Sequence, residues 1–435
     1  MKNIVVQPLY GAVLSNYNTK AHVLIRIQAP SVPKEKNQRP PLQLGLVLDR
    51  SGSMSGAPLR ESVRCAEYII NSLSASDFAS LVVYDSVVDT LVPLQRLGEK
   101  KVFKQALHSI SSKGMTNLHG GWHASAKGLK PQKGMISRVL LLSDGRVNRG
   151  VTDTDEIKTA CSRLLDTGVS TSTYGLGDNF NEDLMIAMSE SGGGNSYYGE
   201  TAEDLMDPFM EEFDLLSSLY AVNIRLRIEE TKGYTINVLN RFRQDKIQHY
   251  CLPNIAYDSE GWVLLEIDIP KEYSGNGDGR KALLLGSIHL CYDTMDGTHI
   301  EEEPIPVSLP SLGSHAFESL SKDPLVEERL QEIRASDIQE EAVRAARRGD
   351  WVRLHQLLDE AEEIAKDNEW LQQVVGTLKK RALRRNSKRL SKELRYSSRK
   401  MKTRLAAQKE DAWARDGASF LRKKIEQGKK QEPTD

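Results

Sequence analysis

The chain has 435 residues, enough for two or three domains, with 39% apolar and 27% charged residues, a formal net charge of -1 and four cysteines. The balanced charge excludes any argument from global charge for a polyanionic partner, and the apolar share is ample for buried cores. No apolar run reaches the ~18 residues of a membrane-spanning helix. The opening Met1-Lys2-Asn3-Ile4-Val5-Val6-Gln7-Pro8 lacks the apolar core, about 7–15 residues long, of a secretory leader. These two absences lead us to expect a cytoplasmic protein.

Residues 9–29 read as strands, with Ala21-His22-Val23-Leu24-Ile25-Arg26-Ile27 partly alternating. The apolar run Leu42–Leu48 then ends in Asp49-Arg50-Ser51-Gly52-Ser53, with Pro58 and an amphipathic stretch soon after. This is the pattern of a buried strand that delivers one carboxylate and two hydroxyls, followed by a helix started by proline. From 42 to 217 the spacing predicts strands at 42–48, 78–85, 87–94, 137–143, 170–176 and 195–199. Helices are predicted at 58–73, 99–110, 118–129, 153–166, 181–190 and 202–219. Ser76-Asp77, Thr152-Asp153 and Thr201 read as helix starts, and Gly168 and Gly192-Gly193-Gly194 as stops. Such alternation builds a doubly wound, mostly parallel sheet covered on both faces. Ligands bind beyond the carboxyl ends of its strands, where Asp49 and Asp144 both fall.

After 219 the period changes to two. Val222–Ile228, Trp262–Ile269 and Ala282–Leu290 read as strands with the turn-rich Ser274–Gly279 between the last two, an antiparallel β-sandwich. A two-stranded N-terminal piece is marginal alone. We therefore expect 9–29 to pair with 220–309, so that the α/β unit is inserted into the sandwich. From 313 the chain turns helical and charged, with stripes Val326/Leu330/Ile333, Leu354/Leu357/Leu358/Ala361 and Leu371/Val374/Val375/Leu378/Ala382, and a break at Gly349-Asp350. The expected domains are 40–217, the discontinuous sandwich 1–39 with 218–312, and a helical region 313–435.

Charge in this last region is uneven. Residues 326–369 hold 13 acidic and 7 basic side chains, whereas 379–404 hold 13 basic ones and a single acid, Glu393. The basic segment is expected to be solvated or neutralised by the acidic helices, in a salt-sensitive clasp. It could otherwise serve as a docking arm for an acidic protein or contact nucleic acid. Tyr396 is its one aromatic residue and no nucleic-acid-binding fold accompanies it.

Among the cysteines, Cys65 and Cys161 lie in predicted helices as buried thiols, while Cys251 and Cys291 lie in strand-like segments and leave a pairing open. His119 and His123 have zinc-like spacing on a helix but no third ligand, so a surface pair bordering a binding face is expected. Asp85 is assigned to a hairpin turn, and Asp178 and Asn179 to the rim of the sheet edge. No phosphate loop and no nucleophile elbow occurs.

Three elements in order carry a resemblance. Asp49-Arg50-Ser51-Gly52-Ser53 resembles the Asp-x-Ser-x-Ser element of the von Willebrand factor type A (VWA) domain. Thr116 in Lys113-Gly114-Met115-Thr116 and Asp144 in Leu142-Ser143-Asp144-Gly145 follow as the other two parts of its metal-ion-dependent adhesion site (MIDAS). The family usually has Gly-Gly-Thr in the middle element, and Met115 stands at the second glycine. The resemblance covers roughly 40–217 and implies an intracellular, prokaryotic-type protein with an intact site and a flanking β-domain. It implies Ser51, Ser53 and Thr116 as direct ligands of Mg2+ (or Mn2+ or Ca2+), with Asp49 and Asp144 orienting ligands and waters. A partner's Asp or Glu would fill the open position. The implied role is a non-enzymatic, cation-dependent adaptor, beside a MoxR-type AAA+ ATPase or a kinase or phosphatase. The alternatives are a nucleic-acid scaffold acting through the basic segment and a metal-dependent hydrolase, for which no general base is visible.

Overall fold

The computed structural model describes residues 3–32, 40–144, 146–176, 180–199 and 202–382, and beyond them Leu390, Leu394, Ala406 and Ala407. The chain divides into two compact units. One comprises Glu35–Ser218 with Met295–Gly297, and the other Met1–Lys34, Leu219–Thr294 and Thr298–Asp435.

The first unit is an α/β sheet. Its strands are β1 (Leu42–Asp49), β2 (Phe78–Tyr84), β3 (Val88–Arg96), β4 (Ile136–Ser143), β5 (Val169–Leu176) and β6 (Gly193–Gly199). They lie in the order 3-2-1-4-5-6, and all pairings are parallel except β2 with β3. Helices α1 (Ala57–Ser72), α2 (Lys100–His108), α3 (Leu118–Gly128), α4 (Thr154–Asp166), α5 (Glu182–Ser191) and α6 (Ala202–Ser217) connect and cover the strands. Every residue of β1, β4 and β5 is buried, the signature of strands covered on both faces. The helix starts have local causes. Pro58 opens α1, and the side chains of Asn117, Asp153 and Asn181 accept N–H groups in the first turns of α3, α4 and α5. Ser76-Asp77 starts no helix. Buried Asp77 instead accepts the N–H groups of Leu42 (3.0 Å) and Ser74 (2.7 Å), tying β1 to the turn before β2. Thr201, Asp178, Asn179 and Gly145 lie outside the described residues.

The second unit has two sheets. In one, Asn3–Pro8, Thr19–Gln28, Ser259–Ile269 and Thr235–Val238 lie side by side, and Ala406–Ala407 also pairs with Ser259–Glu260. The other centres on Leu219–Glu230, Asp278–Thr294 and Ile305–Leu312, with a parallel pairing to Val13–Leu14. Val23, Ile25, Ile27, Val263, Leu265 and Ile267 of the first sheet share a core with Leu226, Ile288, Leu290 and Val307 of the second. The strand Asn3–Pro8 falls before the expected 9–29, because the opening residues carry only a short apolar run. Leu24, Trp262 and Leu264 point the other way and pack against Val326, Leu330 and Ile333 of α8 (Pro324–Arg348), which follows the five-residue α7 (Ser314–Glu318). Both faces of this sheet are thus covered, which is why Thr19–Gln28 alternates only in part. The helices share a compact unit with the sandwich.

The αL residue Gly349 ends α8 and Asp350 caps α9 (Trp351–Ile364). Leu354, Leu357 and Leu358 then share a core with Val374, Val375 and Leu378 of α10 (Glu369–Ala382), and with Leu390 and Leu394. Lys379 of the basic segment pairs with Asp359 (2.5 Å) and with Glu362 on α9. The remainder of 383–404, where the clasp was expected, lies outside the described residues. All four cysteines are free. Cys251 and Cys291 face Arg225 from opposite sides, so two strand spacings, about 9–10 Å, separate them, too far for a disulfide.

Removing residues 1–30 takes Thr19–Gln28 away from its ten-residue pairing with Ser259–Ile269 and uncovers Val263, Leu265 and Ile267. The expected result is aggregation and loss of cooperative unfolding of the sandwich, read by light scattering and urea titration. A dispersed truncation that keeps both units' cooperative transitions would contradict it.

Candidate functional site

The strand order of the α/β sheet reverses between β1 and β4, a topological switch point where a crevice opens beyond the carboxyl ends. Leu48 pairs with Leu142, so Asp49 ends β1 level with Ser143 and just before Asp144. The three loops that carry the candidate residues are joined in a closed ring of hydrogen bonds. Gly52 N–H donates to Gly114 O (3.1 Å) and Lys113 N–H to Arg50 O (2.8 Å), joining the first loop to the second. Thr116 N–H donates to Asn148 Oδ1 (2.7 Å), and Thr116 O accepts from Asn148 (3.3 Å) and Arg149 (3.2 Å), joining the second to the third. Ser143 Oγ donates to Asp49 Oδ2 (2.7 Å) and closes the ring.

Within it, Asp49 is fully buried. Its Oδ1 accepts Ser51 N–H (2.8 Å), and the Tyr84 hydroxyl lies 3.1 Å from Oδ2 and 2.9 Å from Ser143 Oγ. The Ser51 and Ser53 hydroxyls stand 3.1 Å apart. Thr116 is buried, and its hydroxyl makes no hydrogen bond among the described residues. Asp144 Oδ1 accepts Arg146 N–H (3.1 Å), with the Arg146 guanidinium 3.9 Å from Oδ2.

Burial raises the pKa of the Asp49 carboxyl, against the hydrogen bonds from Ser51 and Ser143, and Asp144 pushes it the same way as burial. No cationic side chain pairs with Asp49 among the described residues. Neighbouring Arg50 is spent on Asp85 (2.7 Å) and Asp89. Asp85 thus does more than cap its hairpin turn through Val87 N–H (2.8 Å). It holds Arg50, and its carbonyl accepts Asn117 N–H (2.9 Å), which fixes the loop before α3.

Met115 at the usual glycine position is half exposed. The left-handed backbone of this loop falls on Gly114 (φ 71°), so residue 115 needs no glycine. His119 and His123 stack at 5.3 Å, and burial lowers the pKa of both. No cluster of three or more His, Cys, Asp or Glu has metal-ligand geometry among the described residues. A hydroxyl-rich set with two carboxylates is not of that kind.

Sequence reasoning missed Tyr84, Ser143 and Asn148 as supports. Ser143 could have been found from its place beside Asp144. Tyr84 becomes visible only through the register that sets it opposite Asp49. Gly121 lets α3 lie on the Tyr84 ring, since a Cβ there would sit 2.3 Å from it.

A doubly wound sheet with hydroxyl and carboxylate loops at its switch point is an α/β domain with a ligand crevice beyond its strand ends. Residues 44–211 match the family model of the von Willebrand factor type A domain, and the chain carries such a domain. It is 24% identical over 306 residues to an uncharacterized protein of Synechocystis, covering 66% of this chain and 70% of the relative. It is 25% identical over 243 residues to the uncharacterized protein YfbK of Escherichia coli, covering 53% of this chain and 42% of the relative. The fold is similar to that of a solved von Willebrand factor type A protein from Catenulispora acidiphila, with a TM-score of 0.68 and 14% identity, covering 91% of this chain and 96% of that one. No helix among the described residues is long and apolar enough to cross a membrane.

Proposed function

We propose that the α/β unit is a divalent-cation-dependent protein-binding module and the chain a non-enzymatic adaptor. VWA domains are generally non-enzymatic modules that bind other proteins, which supports the coarse part of this reading. The finer part rests on the closed ring of loop hydrogen bonds, which gathers hard oxygens around a buried Asp49 that no cationic side chain balances. Ser51, Ser53 and Thr116 would hold a Mg2+-class ion, with Asp49 and Asp144 orienting ligands and waters. The bound ion would supply a positive open position, and the acidic side chain of a partner is the natural filler. The hydroxyl donors suit this role because they leave the ion's charge largely uncancelled.

Titrating Mg2+ into the full chain by calorimetry should give one site, and the thermal midpoint should rise in Mg2+ relative to EDTA. At ~100-fold excess over the dissociation constant the stabilisation is about 2.7 kcal/mol. No binding heat and no shift would overturn the metal reading.

A further inference from the structure

Besides Arg50, which is paired with Asp85 and Asp89, three cations stand on the loops that build the site. Lys113 is exposed and tied by its N–H to Arg50 O (2.8 Å). Arg149 is exposed and tied by its N–H to Thr116 O (3.2 Å). Neither side chain forms an ion pair among the described residues. Exposed Arg146 rests 3.9 Å from Asp144. Asp85 feels the Lys113 charge but is hydrogen-bonded to Arg50. Asp85 and Asp89 hold Arg50, and Glu182 and Asp183 have partners at the start of α5. Exposed Met115 stands on the same loop as Lys113, its N–H bonded to Ser86 Oγ (2.8 Å).

We propose that Lys113, Arg146 and Arg149 form a basic rim that selects a partner segment with several acidic residues. This rests on the metal reading above. One carboxylate meets the ion, further ones meet the rim, and Met115 covers an apolar side chain between them. Charge complementarity sets the occupant. Once one carboxylate fills the ion's open position, a second cannot reach the ion but does gain from Lys113 and Arg149, which form no ion pair among the described residues. A nucleic-acid strand fits less well, because the exposed large apolar residue on these loops, among the described residues, is Met115, which offers no aromatic face for base stacking.

The test measures binding of fluorescein-labelled oligoglutamate to the full chain in saturating Mg2+ by anisotropy. A Gly-Ser peptide bearing one Glu and an oligothymidine serve as comparators, and Mg2+ affinity is followed by calorimetry. Each exposed pair contributes modestly, so Lys113→Gln/Arg149→Gln should weaken oligoglutamate binding about three- to tenfold and flatten its salt dependence. Its affinity for the single-Glu peptide and for Mg2+ should stay within about twofold. Unchanged oligoglutamate affinity in the double variant, with Mg2+ still bound, overturns the rim. Failure of Mg2+-loaded wild type to bind oligoglutamate, or equal preference for oligothymidine, overturns the acidic segment. No Mg2+ heat in the wild type overturns the metal reading, and the rim proposal falls with it.

Discussion

Asp49→Asn should weaken Mg2+ binding by at least about 10–100-fold while the protein remains folded, as measured by calorimetry and by thermal melts in EDTA. The amide oxygen can still accept Ser51 N–H, so the turn that presents Ser51 and Ser53 keeps its anchor. The lost element is the negative charge. In the metal-free protein that charge is buried, with neutral hydrogen-bond partners only, and its pKa is raised by burial. Neutralising it removes a desolvation cost. The EDTA midpoint of Asp49→Asn should therefore equal or exceed that of wild type, and the difference between them should reverse in Mg2+. Equal Mg2+ affinity in the two proteins would rule out Asp49 as part of a metal site. Asp49→Ala should lose metal in the same way but melt lower than Asp49→Asn, because Ser51 N–H then has no acceptor. Ser143 and Tyr84 would still face each other at 2.9 Å.

Arg138→Ala should cost about 3–5 kcal/mol in urea unfolding of the α/β unit. Arg138 on β4 and Glu212 on α6 form a buried ion pair, to which Ser170 and Ser172 of β5 and Asn195 and Tyr197 of β6 add hydrogen bonds. Burial alone would push the Glu212 carboxyl up. The Arg138 charge and the Ser172, Tyr197 and Asn195 hydrogen bonds outweigh it and hold the pKa below its ordinary 4.5. A lowered folded pKa means that the group stabilises the fold fully above its unfolded value and loses that contribution as pH falls through the folded one. Removing Arg138 leaves a buried, uncompensated carboxylate that burial pushes up in pKa, so the destabilisation should be greatest at neutral pH and shrink as pH falls and Glu212 takes up a proton. Arg138→Met with Glu212→Leu should cost less than the sum of the single changes, since apolar replacement of both partners leaves no buried charge. Additive losses would show that the pair is not coupled. Because β4 carries Ser143 and leads to Asp144, this network links the stability of α6 to the position of the site.

The α/β unit was legible because its local signals agree. Continuous apolar runs give buried strands, amphipathic stretches between them give helices, and the observed elements follow the expected ones within two residues at nearly every boundary. The three site elements stand out in the sequence because each falls in a short stretch of distinctive residues next to a strand end or a helix start. Their supports do not. Arg50 pairs with Asp85 and Asp89, more than thirty residues away in the chain. Arg138 and its partner Glu212 lie 74 residues apart, and nothing local links them.

The sequence by itself determined the strand and helix periods, the order of the three site elements and the change from alternating α/β to period-two strands after 219. These depend on residue type and spacing along one segment. Tertiary structure alone decided which strand lies beside which, and so that Tyr84 and Ser143 meet Asp49. It also decided that α8 covers the outer face of Thr19–Gln28 and Ser259–Ile269, and that Cys251 and Cys291 are kept apart by the strand carrying Arg225. The physical reason is that register and packing are pairwise properties of segments distant in the chain. A buried charge finds its partner, and a half-buried face its cover, only when those segments meet.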